Sequence, residues 1–242
     1  MVLLAHLYKR LMKKGRVFWL IALSSAPAAI YWLAGLSVDQ DELETLYSSA
    51  LSAAGYSFSI AALILTVATL REERDSGTLP YIYMRPLSRI SIALSSIGAG
   101  IAAALTIALG GWLATVIAVL LVGPDISVVL PGLAAFTAAA VGYAALFVPL
   151  GYLVPRALLV GLGYIIVIES ILAQAIPGLA QISIWRIALS IYADAGGKMS
   201  EFALEILDPV VPGIGGGVVK IAAVLVVGIA ALTWALRRRD AL

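Results

Sequence analysis

The stretch REERDSGTLPYIYMRPLSR, Arg71 to Arg89, carries seven charges in nineteen residues, and the chain on either side of it is almost purely apolar. Of the 242 residues, 62% are hydrophobic and only 12% are charged. A water-soluble domain carries about 25% charged residues, so this composition suits a chain whose solvent is mostly lipid. Seven charges cannot sit in hydrocarbon. The segment therefore lies outside the membrane, and it divides the chain's apolar runs into those before and those after it.

A helix needs about 20 mostly apolar residues to span a bilayer. Six segments qualify, roughly Val17–Leu36, Tyr47–Leu70, Ile90–Val122, Val128–Val154, Ala157–Ala175 and Val218–Leu236. The expected fold is all-α, a single transmembrane domain over residues 1–242. Pro131, Pro149 and Pro155 bracket or bend the fourth span. With six spans, thirteen of the sixteen basic residues share one face. They are Lys9, Arg10, Lys13, Lys14, Arg16, Arg71, Arg74, Arg85, Arg89, Arg156 and Arg237 to Arg239. Nine acids collect on the other face, among them Asp39, Glu44, Asp125 and Asp194. Lysine and arginine concentrate on the cytoplasmic side, so both termini are expected there, in a multi-pass protein of the plasma membrane.

Three extramembrane segments stand out. Residues 1–16 form an amphipathic segment, with residues 3–16 read as one helix on the membrane surface. At about 100° per residue, Leu4, Leu7, Tyr8 and Leu11 share a face opposite Lys9, Arg10, Lys13 and Lys14. Residues 176–217 form the outer segment. Its run IPGLAQISIWRIALSIY is too apolar for a solvated loop and too short to span, so a pair of short interfacial or re-entrant helices is expected. VPGIGGG, Val211 to Gly217, is expected to be a flexible turn into the last span. The third segment is 71–89. REERDSG closes the second span, and TLPYIYMRP follows as a short helix with Thr78 as its cap and Pro80 in its first turn. Leu79, Ile82, Tyr83 and Met84 are poorly placed in open water. They suit either a docking surface or a loop against the headgroups.

Several chemistries are excluded. Cysteine is absent and there is one histidine, His6, so thiolate and clustered histidine metal sites have no ligands. No G-x-x-x-x-G-K-[ST] loop, H-E-x-x-H or G-x-S-x-G is present, so the chain is not expected to be an enzyme by itself. A net charge of +2 gives no case for nucleic acid. One ionisable residue lies inside a span, Glu169 in GYIIVIESILAQAIPG. A charge at the bilayer centre costs roughly 2.5–3.5 kcal/mol even on the lenient scale. Glu169 is about six residues, or about 9 Å, from the outer end of its span. Two readings are open: it lines a substrate or ion pathway, or it reaches outer water or a polar partner in the outer helices.

The stretch 71–89 resembles the segment between the second and third transmembrane helices of ABC-2-type permeases. Those show an acidic residue, then Gly-Thr-Leu, a short helix and Pro-x-Ser-Arg. Glu72, Glu73, Gly77, Thr78, Leu79, Pro86, Ser88 and Arg89 match that pattern, with Tyr81 and Ile82 in the short helix. The basic N-terminal helix, the six spans and the outer segment agree with it along most of the chain. Ser95 and Ser96 stand where relatives often carry Lys, and Tyr81 and Tyr83 where aliphatic residues are common, which bears on details of partner contact. The resemblance implies a coupling helix at these residues, seated in a groove of a separate ABC-type ATPase subunit. ATP and Mg²⁺ would be held by that subunit, with no cofactor on this chain. A second permease copy or paralogue would complete the pathway, and the direction would be export of a hydrophobic or amphipathic substrate. A non-transporting membrane scaffold and an ion-gradient-driven transporter are the competing classes.

Overall fold

The computed structural model describes residues 2–39, 42–75, 77, 88–123, 126–172, 181–197 and 213–238, and among these it contains helices and turns but no strand. Five helices are long and apolar enough to cross a membrane, and a shorter apolar helix covers Ala157–Ile171.

Helix α1 covers Val2–Leu11 and α2 covers Lys14–Gly35. The single helix expected over 3–16 is thus two. The chain breaks at Met12–Lys13, where Lys13 is extended at φ −65° and ψ 123°. The cause is local. The Arg16 guanidinium turns back to donate to the Leu11 carbonyl at 3.0 Å, satisfying an open carbonyl at the end of α1. The apolar stripe of α1 is Leu3, Leu7 and Leu11, all buried, flanked by half-buried Leu4 and Tyr8.

Helix α3, Leu43–Asp75, outruns the expected second span at both ends. Arg71–Asp75 continue the helix because Arg and Glu are strong helix formers. Gly77 then stops it: its φ is 69°, left-handed, and its N–H donates to the Arg74 carbonyl at 3.1 Å. Helix α4, Arg89–Val122, agrees with the third expected span and is bounded by local signals. The Ser88 hydroxyl accepts from the Ser91 N–H at its start, and left-handed Gly123 (φ 99°) ends it.

A 3₁₀ turn at Ile126–Val128 leads into α5, Leu130–Leu153, with Pro131 in its first turn and Pro149 inside it. This helix is apolar all round and is the centre of the bundle, against α3, α4 and the later helices. Its small residues permit this. A side chain on Gly151 would run into the Val67 carbonyl of α3. Helix α6, Ala157–Gly163, passes without a break into a π-helical stretch, Tyr164–Leu172.

Helix α7, Ile184–Asp194, is buried from Ile184 to Tyr192 against α5 and α8, far from the exposure of a solvated loop. The rest of the expected pair of outer helices lies outside the described residues. The last helix, α8, runs Gly213–Arg238, and this corrects the expected turn at Val211–Gly217: Gly213 to Gly217 are helical. Two contacts hold them so. The Asp194 carboxylate at the end of α7 accepts the Ile214 N–H at 2.6 Å, and Ile191 packs where a Gly217 side chain would lie.

The outward faces are apolar. Phe18, Trp19, Ile30 and Leu33 of α2, Leu120 and Leu121 of α4, and Val226 and Val227 of α8 are all exposed. Continuous apolar exposure of this extent suits a lipid surround, not water.

Candidate functional site

Two polar centres stand out in this apolar bundle, one at each end. The first sits where α3 runs into the charged stretch. Glu73 is 1% exposed, a carboxylate in the interior of the fold. Arg10 of α1 reaches it with Nη1 at 2.7 Å, and the Nε2 atom of His6 lies 3.5 Å away. Glu72 is held from two sides. Its backbone carbonyl accepts from Arg10 Nη2 at 3.1 Å, its carboxylate lies 3.6 Å from Arg10 Nε, and Arg16 Nη1 donates to its Oε1 atom. A buried carboxylate is tolerated when it is paired, and α1 supplies the pairing groups.

Apolar packing supports the same joint. Leu3 and Leu7 of α1 share a cluster with Leu70 of α3, Ile92 and Ile97 of α4, and Leu232 and Leu236 of α8. Tyr8 and Thr106 place their hydroxyls 3.1 Å apart, tying α1 to α4. Arg74 faces the other way and donates to the Tyr152 carbonyl of α5 at 3.2 Å.

Of the residues that the resemblance assigns to docking, Glu72 and Glu73 therefore face α1 within the chain. Gly77 ends α3 and is exposed. Ser88 caps α4, and Arg89 begins it. Thr78, Leu79, Tyr81, Ile82 and Pro86 lie outside the described residues. Arg10 and Arg16 were read from sequence only as part of a basic face. The missed signal is charge matching: two adjacent acids at the end of a span, on the same face as a basic arm of five cations.

The second centre surrounds Glu169, 4% exposed in the π-helical stretch. The Tyr143 hydroxyl of α5 donates to Oε2 at 2.6 Å. Oε1 accepts the Ile184 N–H at 3.0 Å and the Trp185 N–H at 3.4 Å, the first two amides of α7. Helix N-termini present just such open amides to an anion. The Tyr164 hydroxyl lies 3.4 Å from Oε1 and 3.3 Å from the Ile182 carbonyl, between the two. The π-helix makes the last contact natural. Residues five apart lie about 140° apart around an α-helix, but bonding from i to i+5 brings them close to one face.

Aromatic rings wall this carboxylate in. Phe147 stacks on Tyr143 at 5.5 Å and meets Tyr164 edge-on at 6.1 Å. Phe58 approaches Tyr143 at 6.1 Å, and Phe136 links Phe58 to Trp185, at 5.6 Å from each. Glu169 thus meets polar partners on α5 and at the start of α7. Tyr143 was the missed residue, a phenol within an otherwise apolar span. Its placement opposite Glu169 is tertiary and leaves no spacing in the sequence.

The chain is a membrane bundle with a charge-locked joint at the face where the charged stretch emerges and a dipole-locked helix at the other. No curated protein matches the chain at a significant level. A family model described as ABC-2 family transporter protein matches residues 11–176, which spans α2 to α6 and includes the whole of 71–89. The match covers more than half of the chain, which therefore belongs to the ABC-2 family of transporter proteins.

Proposed function

We propose that the chain is the permease subunit of an ATP-driven exporter, working with a separate ABC-type ATPase through the stretch between α3 and α4. The observation that carries this reading is the placement of that stretch. It leaves α3 at a glycine stop, re-enters at a serine-capped α4, and lies within the residues matched by the family. In this reading Gly77, Thr78, Leu79, Tyr81, Ile82, Pro86, Ser88 and Arg89 form the docking element. Glu72 and Glu73 hold its root to α1.

Ala157–Leu172 and the residues after it complete a sixth span, which puts both termini in the cytoplasm of a plasma-membrane protein. Residues 176–217 then lie outside, where α7 closes the outer end of the bundle. A second permease, a copy or a paralogue, completes the pathway. ATP and Mg²⁺ bind to the partner ATPase. The substrate is apolar or amphipathic. An open groove of about 240 Å³ between α2 and α4, lined by Ala28, Trp32, Ala118 and Leu121, supports that class.

Purification from native membranes in mild detergent, followed by mass spectrometry, tests the reading. It predicts an ATPase at one copy per permease, released by Leu79→Asp while the permease stays monodisperse. A preparation without an ATPase would contradict it, as would an unchanged ATPase ratio in the variant.

A further inference from the structure

The seam between α2 and α4 is closed at two levels and open between them. At the inner level, Ile21 and Ser24 of α2 occupy the space where side chains on Gly110 and Gly111 of α4 would lie. At the outer level, Val122 of α4 fills the place of a Gly35 side chain, and Leu43 of α3 lies against the same glycine. Between these contacts the facing residues are small. Ala28, Ala29, Ala114 and Ala118 leave the open groove of about 240 Å³, with Trp32 and Leu121 toward its outer end. Ser24 and Gly35 stand about 16 Å apart along the helix axis, at 1.5 Å per residue. That length is close to one leaflet of a hydrocarbon core about 30 Å thick.

Shape, lining and rim together select an occupant. The volume lies below the range of about 300–1,000 Å³ typical of pockets for drug-sized ligands, and the groove follows the helices, so one extended chain fits it better than a ring system. The lining is apolar but for Ser25 and the Trp32 indole. Trp32 is 37% exposed, within the last turn of α2, and an indole face is the side-chain surface best suited to an ammonium ion. The rim is acidic. No Lys or Arg occurs between Arg16 and Arg71, or between Arg89 and Arg156. Asp39, Glu42 and Glu44 are exposed, and the last two flank Leu43, which packs at the groove's outer end.

We propose that the α2–α4 groove is a lateral binding site for a single-chain amphiphile with a cationic head. The chain lies along the alanines, and the ammonium group sits at the outer rim, between Trp32 and the acids that follow α2. An anionic head on the same chain would meet like charge there, so the rim selects by repulsion as well as attraction. The proposal names the cargo class of the permease reading above and rests on that reading for the groove's place in transport.

The experiment uses the permease with its co-purified ATPase in nanodiscs of neutral lipid. A decyltrimethylammonium probe with a diazirine in its chain is photolysed on the complex, and peptide mass spectrometry locates the adducts. The expected adducts fall at 25–32 and 114–121. Unlabelled decyltrimethylammonium should displace the probe at a concentration about tenfold below that needed of decyl maltoside or decyl sulfate. Ala29→Phe, which fills the groove from an exposed position, should cut the labelling about fivefold. Asp39→Asn with Glu42→Gln should leave the groove labelled and remove most of the cation's advantage over the sulfate.

Adducts confined to other helices would overturn the proposal, as would undiminished labelling in Ala29→Phe. Equal displacement by the three amphiphiles would also overturn it, and would make the groove a passive contact with bulk lipid. An unchanged preference in the doubly neutralised variant would remove the acidic rim from the account and overturn the stated head group. If Ala29→Phe fails to assemble, the displacement series in the parent complex decides alone. Absence of a co-purified ATPase overturns the permease reading, whereas the adducts, read on the permease itself, still decide the site.

Discussion

The two ends of the bundle solve the same problem in different ways. Each holds a buried carboxylate, Glu73 at 1% exposure and Glu169 at 4%. Glu73 is met by a guanidinium and an imidazole, and its neighbour Glu72 by two guanidinium groups. Glu169 is met by a phenol, two backbone amides and a second phenol nearby. At the end where the charged stretch leaves the membrane, water and mobile cations are at hand. Side chains of Arg10, Arg16 and Glu72 remain 23–27% exposed there. Deeper in the bundle a cation would need its own desolvation, so fixed dipoles do the work. A charge-matched joint can be broken by salt or by charge reversal. A dipole-matched joint answers only to loss of the acceptor.

Glu169→Ala leaves two helix amides and the Tyr143 hydroxyl without their acceptor, and should cost about 3 kcal/mol, since each orphaned buried donor costs about 1–3 kcal/mol. The loss would be read as a lowered thermal unfolding midpoint in detergent, using the chain's own tryptophans. Glu169→Gln keeps an acceptor oxygen and should cost about 1 kcal/mol. Equal losses from Ala and Gln would mean that charge, not acceptor geometry, holds α7.

The inner end follows. Glu73→Gln should cost about 2 kcal/mol, the scale of a hydrogen bond to a charged group. Unlike the loss at Glu169, this one should shrink in high salt, because the partners are partly hydrated. A salt-insensitive loss would place Glu73 in the same class as Glu169. The smallest effect belongs to Asp194→Ala, which removes the cap of α8 and should cost about 1 kcal/mol. Destabilisation well above that would mean that Asp194 holds more than the Ile214 amide.

What the sequence discloses divides along the line between local and tertiary causes. The runs of α2, α3, α4, α5 and α8 are legible because twenty apolar residues have few other uses. The ends of α4 are legible because Ser88 and Gly123 act on their own neighbours. The stop at Gly77 is legible for the same reason. The break between α1 and α2 is not, since it depends on Arg16 reaching back to Leu11. The helical state of Gly213–Gly217 is not, since glycine-rich runs favour turns unless something caps and packs them, as Asp194 and Ile191 do. The Glu72–Glu73 centre joins residues 56 or more positions apart, and Glu169 meets Tyr143, Ile184 and Trp185 from 15 or more positions away, pairings that no periodicity encodes.

The central claim is that the stretch between α3 and α4 meets a separate ATPase, whereas α7 closes the opposite end. Site-specific photocrosslinking in native membranes tests it most directly, with a photoreactive residue at Tyr81 in one strain and at Ile182 in another. The account predicts an adduct of permease and ATPase from Tyr81 and none from Ile182. No ATPase adduct from Tyr81, or one from Ile182, would contradict it.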